Sequence, residues 1–322
     1  MLPDPPHEPV GQAHIAGPLT AVVVASHGIH AVVRLPDGRL TRAAQPRNEE
    51  YAVVGDLVDL EPDAGGGELP LVVRFHPRRR VLIRTSKGEV QTLAANVDEL
   101  LIVVAVEPPA REGLIDRFCV AAAYSNIAPV ILLNKVDLPG TAEIEASLAM
   151  YRAVGYDVLR VSAHTGEGIE ALRQRLGRGT HVLAGHSGVG KSSILNSLLG
   201  TEHAATAQIS AIGRGRHTTT TAVAWPMGEG LLVDMPGVRS FALAEIEPEH
   251  LRFCFPEFEG PRDSCAFTSC LHYDEPNCGV RDAVRSGSVA PPRYQSYRKL
   301  LEEIEKERRD ERGYGRRKLP KR

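Results

Sequence analysis

Long apolar runs are missing from this chain. Leu100 to Val106 is seven residues, against the roughly 20 that a membrane-spanning helix needs. No membrane partner is therefore expected. The opening residues, MLPDPPHEPV, have neither a basic start nor an apolar stretch. They do not read as a secretion signal, and a cytoplasmic protein is expected. A strong excess of either charge is also missing: 38 basic against 40 acidic residues give a net −2, which excludes a polycation. Basic character is local instead. Arg74 to Lys87 holds six Arg and Lys and no acid, and Lys306 to Arg322 holds nine against three acids. Such runs are usually solvated faces, but two of them in a near-neutral chain keep an RNA partner open. Cysteine is scarce. There are five, an odd number, and three crowd near residue 270. That argues against a disulfide scaffold and for a metal site in a reducing compartment.

The length of 322 residues suits two domains or three small ones. A proline-rich lead, 1–16, precedes five short β-like runs: Leu19–Ala25, Ile29–Leu35, Arg39–Ala44, Leu57–Glu61 and Leu69–Val73. Pro36-Asp37-Gly38 and Gly65-Gly66-Gly67 punctuate them. Five strands in about 60 residues fit a small β-barrel of the OB type, and an SH3-like barrel has a similar signature. From Leu100 the texture becomes strand–helix alternation. Leu100–Val106 and Val130–Leu133 are continuous apolar runs, as expected of parallel strands buried on both faces. Val158–Val161, Val182–Ala184 and Leu231–Val233 extend the sheet. Helices are expected over Leu114–Ala123, 141–154, 168–176 and 191–199, which makes an α/β doubly wound pattern. After Ile246 the alternation stops. A Cys/His-rich segment follows, then a helix with Tyr294, Tyr297, Leu301 and Ile304 on one face.

Nucleotide-binding motifs are present in an unusual order. Asn134-Lys135-Val136-Asp137 reads as a guanine-selecting NKxD motif, with Ser162-Ala163 as a second base contact. The phosphate-loop pattern GxxxxGK[ST] comes afterwards, at Gly185-His186-Ser187-Gly188-Val189-Gly190-Lys191-Ser192, followed by Ser193. Thr218 to Thr221 and Asp234-Met235-Pro236-Gly237 come last. An ordinary GTPase leads with the phosphate loop, so this is the order of a circularly permuted one. The chemistry of each motif is specific. Backbone N–H groups of the glycine-rich turn and the helix N-terminus behind it face phosphate oxygens. Lys191 reaches the outer phosphates and the Ser192 hydroxyl ligates Mg²⁺. Asp234, at the end of an apolar strand, can hold Mg²⁺ through water, and Gly237 can offer its N–H to the terminal phosphate. One threonine, Thr219 or Thr220, is expected to join Mg²⁺. Lys191, Ser192, Thr219, Asp234 and Gly237 form the expected catalytic set. The Asp137 carboxylate can accept two hydrogen bonds from a guanine edge, which adenine cannot supply. Buried polar sites reject such analogues by about 10⁴-fold or more. ATP chemistry is disfavoured on this motif. Val238 follows Gly237 where many GTPases carry a water-orienting glutamine, and His217 is the nearest sequence candidate for that task.

Cys265-x₄-Cys270-x-His272-x₅-Cys278 supplies three thiolates and one imidazole. That completes a tetrahedral set for one structural Zn²⁺ with no open position. Cys119 and Cys254 lie in apolar stretches and read as buried small hydrophobes.

Taken together, these residues resemble the ribosome small-subunit-dependent GTPase A (RsgA) family over nearly the whole chain. The likeness rests on Ala94-Ala95-Asn96-Val97-Asp98, Leu114-Ile115-Asp116-Arg117, the NKVD and GHSGVGKSS motifs, Gly215 to Thr220, Asp234 to Phe241, and the zinc cluster with Glu275-Pro276. The resemblance implies an OB-fold barrel over 1–80, a permuted GTPase domain over 81–245 and a zinc domain over 246–322. It also implies a monomer that exchanges GTP and GDP, binds the small ribosomal subunit and its rRNA through the barrel and zinc domain, and acts in late maturation of that subunit. One departure stands out. Where many members carry a histidine after DxPGVR, this chain has Glu245. The opposing hypothesis is an RNA-binding module in which nucleotide is only structural, and the Mg²⁺ set at Ser192 and Asp234 argues against it.

Overall fold

The computed structural model describes residues 15–46, 51–63, 69–86, 89–109, 113–200, 222–235, 243 and 245–317. Thr218 to Thr221, His217, Gly237 and Val238 lie outside them, as do the proline-rich lead up to residue 14 and the last five residues of the basic tail.

Turn residues and alternating burial make the first unit. Strands β1 (Leu19–His27), β2 (His30–Arg34), β3 (Leu40–Ala44), β4 (Leu57–Glu61) and β5 (Leu71–Phe75) pair in the order β1-β2-β3-β5-β4. Pairing of β4 with β1, from Leu19↔Leu60 to Val22↔Leu57, closes the ring. This is the OB-type barrel, and the SH3-like alternative falls. Its interior is filled by Ala21, Val23, Ala31, Val33, Val58 and Leu60. The alternate residues Val24 and Val32 pack outward into the core of the rest of the protein, and a register shift between Val23 and Ala25 turns Ala25 out with them. Period-two alternation thus serves two cores from one pair of strands.

A hairpin follows, β6 (Val81–Ser86) with β7 (Glu89–Ala95). The sequence reading missed it, because charged and polar residues interrupt both strands. It also took the arginines around it as one basic run. The structure disperses them. Arg74 pairs with Asp59 at 2.5 Å, Arg78 forks onto the buried Asp56 at 2.7 and 2.8 Å, and Arg80 pairs with Asp98, while Arg79 is exposed. The Ala94–Asp98 motif is a seam. Ala95 N–H donates to Val54 O, Asn96 Nδ2 to Gly55 O, and Asp98 accepts from Thr180 N–H at 2.8 Å.

The second unit is a parallel sheet: β10 (Asp157–Arg160), β9 (Ala128–Asn134), β8 (Glu99–Ala105), β11 (Thr180–Gly185) and β13 (Gly230–Asp234), in that order. Helices α1 (Leu114–Tyr124), α2 (Thr141–Ala153), α3 (Ile169–Leu176) and α4 (Lys191–Leu199) connect the strands. The central strands β8 and β11 are almost wholly buried, which is why they read as unbroken apolar runs. An antiparallel strand, β12 (Val223–Met227), edges the sheet beside β13. It escaped the sequence reading because Pro226 sits inside it, and proline demotes a strand. β12 in turn pairs with β1, through Ala25↔Val223, so barrel and parallel sheet are one eleven-stranded sheet.

The third unit is helical: α5 (Pro248–Leu251), α6 (Glu259–Arg262), α7 (Gly279–Ser286) and α8 (Pro291–Arg317). As the spacing predicts, Tyr297, Leu301 and Ile304 of α8 are buried, and Tyr294 packs against the same core. Cys119 and Cys254 are buried in it as well, and burial pushes the Cys254 thiol up to about 12. No helix among the described residues is long and apolar enough to cross a membrane.

One fully buried arginine joins the second and third units. Arg293 of α8, 1% exposed, meets Asp116 of α1 and forks onto Glu257 at 2.6 and 3.0 Å. Tyr151 donates to the same Asp116 at 3.0 Å, and the guanidinium lies over the Phe255 ring at 4.7 Å. Two carboxylates and one guanidinium leave a net negative pocket, so the cation is indispensable. Arg293→Met should therefore lower stability by about 3–5 kcal/mol, the cost of stranding a buried charge. Chemical denaturation followed by far-UV circular dichroism measures it.

Candidate nucleotide site and metal centre

Parallel strands point the same way, so their carboxyl ends share one rim. Asn134 ends β9, Gly185 ends β11 and Asp234 ends β13. In register, Ala105 lies opposite Asn134 and Leu183 opposite Asp234. Three motifs far apart in sequence thereby meet at the position where open α/β sheets bind ligands.

The phosphate loop runs from Gly185 into α4. Gly190 (φ 94°) caps that helix in the left-handed region, and a Cβ there would stand 2.3 Å from Asn134 Nδ2. Glycine is required on both counts. The space it leaves is used by Asn134, which donates from Nδ2 to Val189 O at 2.8 Å and accepts from Ala163 N–H at 3.3 Å. Asn134 is thus a buried strut between the NKxD strand, the Ser162-Ala163 loop and the phosphate loop. Val136 and Val189 are buried as packing, while Ser187, Gly188, Ser192 and Ser193 are exposed along the loop. His186 Nδ1 lies 2.7 Å from Ser187 O.

Lys191 is turned inward. Its Nζ donates to Gly185 O at 2.7 Å and His186 O at 3.0 Å. Burial lowers its pKa, and nearby Asp234 works the other way. The Asp234 carboxyl is held above the usual range by burial, opposed by Lys191. The two form a half-desolvated charge pair with carbonyl oxygens around the ammonium, and such a pair favours a ligand that brings its own charge.

Beside the loop is a cavity of about 170 Å³ whose lining includes Asn134, Lys135, Asp137, Ala163, His164 and Gly190. Asp137 is exposed, and the Ser162 hydroxyl donates to its Oδ1 at 2.5 Å, which holds the carboxyl below its usual value. Ser162 Oγ also accepts from His164 and Thr165 N–H at 3.3 and 3.1 Å, so the whole loop is anchored on one hydroxyl. Lys135 Nζ donates to Glu107 O at 2.6 Å. The sequence reading missed His164 and the Glu107–Pro108 loop. His164 directly follows Ser162-Ala163, a signal that was available, whereas the Lys135–Glu107 contact left none. Of the residues expected to act together, Thr219 and Gly237 lie outside the described residues.

The metal set converges as its spacing predicts. Cys265, Cys270, His272 and Cys278 bring their ligand atoms within 4.8 Å of one another. His272 Nδ1 stands 3.5 Å from Cys265 Sγ and 3.4 Å from Cys278 Sγ, and the two sulfurs are 4.0 Å apart. Tetrahedral Zn²⁺ with Zn–S near 2.3 Å demands S···S of about 3.8 Å. Burial lowers the His272 pKa to about 4, so the imidazole is the neutral form a metal needs. Burial pushes the Cys270 thiol up to about 12, so ionising it there takes a cation among the four donors. The residues fit one structural Zn²⁺. The knuckle is held by Glu275, whose carboxylate accepts from Leu271, Tyr273 and Asp274 N–H at 2.7, 2.8 and 3.1 Å. Tyr294 and Tyr297 of α8 donate to His272 O and Leu271 O at 2.7 and 2.5 Å. Metal analysis should find one zinc per chain. Cys270→Ser should lose it and expose 265–285 to protease, yet leave nucleotide affinity nearly unchanged.

The RsgA GTPase family model matches residues 75–244. A "Small ribosomal subunit biogenesis GTPase RsgA" of Sodalis glossinidius is 38% identical over 310 residues, covering 92% of this chain and 88% of the relative. One of Chlorobaculum tepidum is 36% identical, covering 89% and 98%. Among solved structures, YjeQ from Thermotoga maritima superposes with a TM-score of 0.73 at 31% identity, covering 89% of this chain and 98% of that one. YloQ, described as a circularly permuted GTPase, gives 0.72 at 26%, covering 91% and 97%. The permuted motif order agrees with the circularly permuted relative, the likeness covers most of the chain, and the chain belongs to the RsgA GTPase family.

Proposed function

We propose that this GTPase acts in biogenesis of the small ribosomal subunit, that the subunit stimulates its hydrolysis of GTP, and that barrel and zinc domain contact rRNA. The observation that carries the reading is a cavity walled by both Asp137 and Gly190, where a base can be held directly beside the phosphate loop. The relatives named for this role are alike over nearly their full length.

The roles follow from the geometry. Asp137, ionised and oriented by Ser162, accepts the two donors of a guanine edge. Adenine would leave that carboxylate unpaired. Asn134 keeps base site and phosphate loop at a fixed separation. The N–H groups of Gly188 to Lys191 and the N-terminus of α4 take phosphate oxygens. Lys191 exchanges two carbonyl contacts for the outer phosphates, which restores the charge partner that burial denies it. Ser192 and Asp234 would hold Mg²⁺ together with Thr219, and the Gly237 N–H would meet the terminal phosphate. That ion supplies neutralising charge on the phosphates. Val238 cannot orient water, and Glu245 stands where other members carry histidine, its backbone carbonyl fixed by Tyr124 OH at 3.0 Å. His217 is the chain's own candidate to position water, and the subunit stimulates hydrolysis by completing that arrangement.

Asp137→Asn inverts the hydrogen-bond polarity. It should weaken GTP binding by at least about 100-fold and favour xanthine nucleotide. Equal affinity of the unaltered protein for ATP and GTP would refute the base assignment. Phosphate release measured with and without purified small subunits tests the reading as a whole. Turnover should rise by at least about tenfold with subunits, and an unchanged rate would leave a GTPase with another partner.

A further inference from the structure

The contact between barrel and parallel sheet has an unusual economy. Four residues form one rung across the sheet: Leu183 of β11 lies opposite Asp234 of β13, Asp234 opposite Val223 of β12, and Val223 opposite Ala25 of β1. The strand that feeds the phosphate loop is thus three backbone pairings away from the barrel wall. Both ends of the β12–β13 hairpin at this rung open into the segments assigned to the nucleotide. Thr218 to Thr221 lead into β12, and Met235 to Gly237 lead out of β13.

The opposite end of the hairpin is gripped from two sides. Its N–H groups belong to the GTPase body: Glu229 and Gly230 N–H donate to Gly177 O at 3.1 and 3.0 Å. Its carbonyls belong to the barrel. Arg34 of β2 donates from Nη1 to Gly228 O and Gly230 O, both at 3.1 Å, and from Nη2 to Glu229 O at 2.6 Å. One guanidinium collecting three consecutive carbonyls is a fixed geometric clasp that no other side chain can reproduce. Around it the interface is not filled. A cavity of about 220 Å³, bounded by Thr20, Val22, Arg34, Leu57, Gly228 and Glu229, separates barrel from turn. Nearer the Ala25 rung, Val24, Ala25 and Val32 pack into the core shared with the sheet, so a displacement of the hairpin is passed to the barrel there and taken up at this open end.

We propose that the β12–β13 hairpin is a lever between nucleotide site and barrel, and that Arg34 is its positioning residue on the barrel side. This rests on the nucleotide reading above. A change at the phosphate end moves the Val223–Asp234 rung. Ala25 follows because it is backbone-paired to that rung, and Arg34 turns a slide of the hairpin into a rotation of β1 and β2. The surface the barrel offers to a partner then depends on which nucleotide is bound.

The test uses the full-length protein with GDP or with a non-hydrolysable GTP analogue and Mg²⁺, and reads amide exchange in residues 19–34. Exchange should differ between the two states by at least about fivefold, the low end of ordinary coupling between sites. Arg34→Met keeps the stem and removes the donors. It should bring the difference below about twofold while nucleotide affinity, titrated on the same samples, stays within about twofold. Arg34→Lys, which keeps the charge but cannot serve three carbonyls, should fall between, and it carries the test if Arg34→Met folds poorly. Identical exchange in both states of the nucleotide-bound unaltered protein would overturn the lever alone, as would an undiminished difference in both variants. Failure to bind guanine nucleotide at all would overturn the nucleotide reading, and the lever with it.

Discussion

The parallel pairing of β9, β8, β11 and β13 is the constraint on which the rest depends. Parallel strands satisfy their backbone groups only side by side and in register, and that pairing puts Asn134, Gly185 and Asp234 on one rim. Circular permutation leaves this rim intact. It changes which strand comes first in the chain and leaves unchanged which strands are neighbours. The site survives because its chemistry belongs to strand ends in space and is indifferent to their order along the chain.

What permutation does alter is what lies beyond the site. The segment after Asp234 leads into the helical unit that starts at Pro248 and carries the metal set, and the segment before β12 leads into a strand that is backbone-paired to the barrel. The two flanks of the β12–β13 hairpin thereby lead to different units. On the metal side the attachment is rigid. Arg293 is locked between Asp116 and Glu257, and Tyr294 and Tyr297 hold the carbonyls of the metal loop. Motion passed to α8 would therefore carry the metal knuckle with it. On the barrel side the attachment is a strand pairing at Ala25, a shared core at Val24 and Val32, and the Arg34 clasp beside an open cavity.

The metal centre and the nucleotide site stabilise their surroundings by different means. The knuckle, 265–278, has little apolar mass of its own. Glu275 satisfies three N–H groups there, and a metal held by the four donors would replace the core it lacks, which would make metal affinity and folding one quantity. The nucleotide site instead borrows a finished hydrophobic sheet and keeps its charges half-desolvated. Lys191 and Asp234 are each shifted away from their charged forms by burial. That cost is tolerable only where a ligand carrying both phosphate and cation will restore the balance.

Much of this was legible in sequence because it is local. The phosphate loop, NKxD and the Cys₃His set each lie within 14 residues or fewer, and the backbone geometry of a turn or knuckle carries such a pattern directly. The five barrel strands and the four sheet helices likewise follow from turn residues and hydrophobic period. Tertiary structure alone decided the rest. Arg293 finds Asp116 across 177 positions, Arg34 finds the Gly228–Gly230 carbonyls across about 195, and Ala25, Val223 and Asp234 share one rung. The partners of Arg74, Arg78 and Arg80 in the basic run, Asp59, Asp56 and Asp98, are likewise supplied only by folding. None of these pairings leaves a period or a motif, since each depends on where a distant backbone is brought by the burial of residues that take no part in the contact.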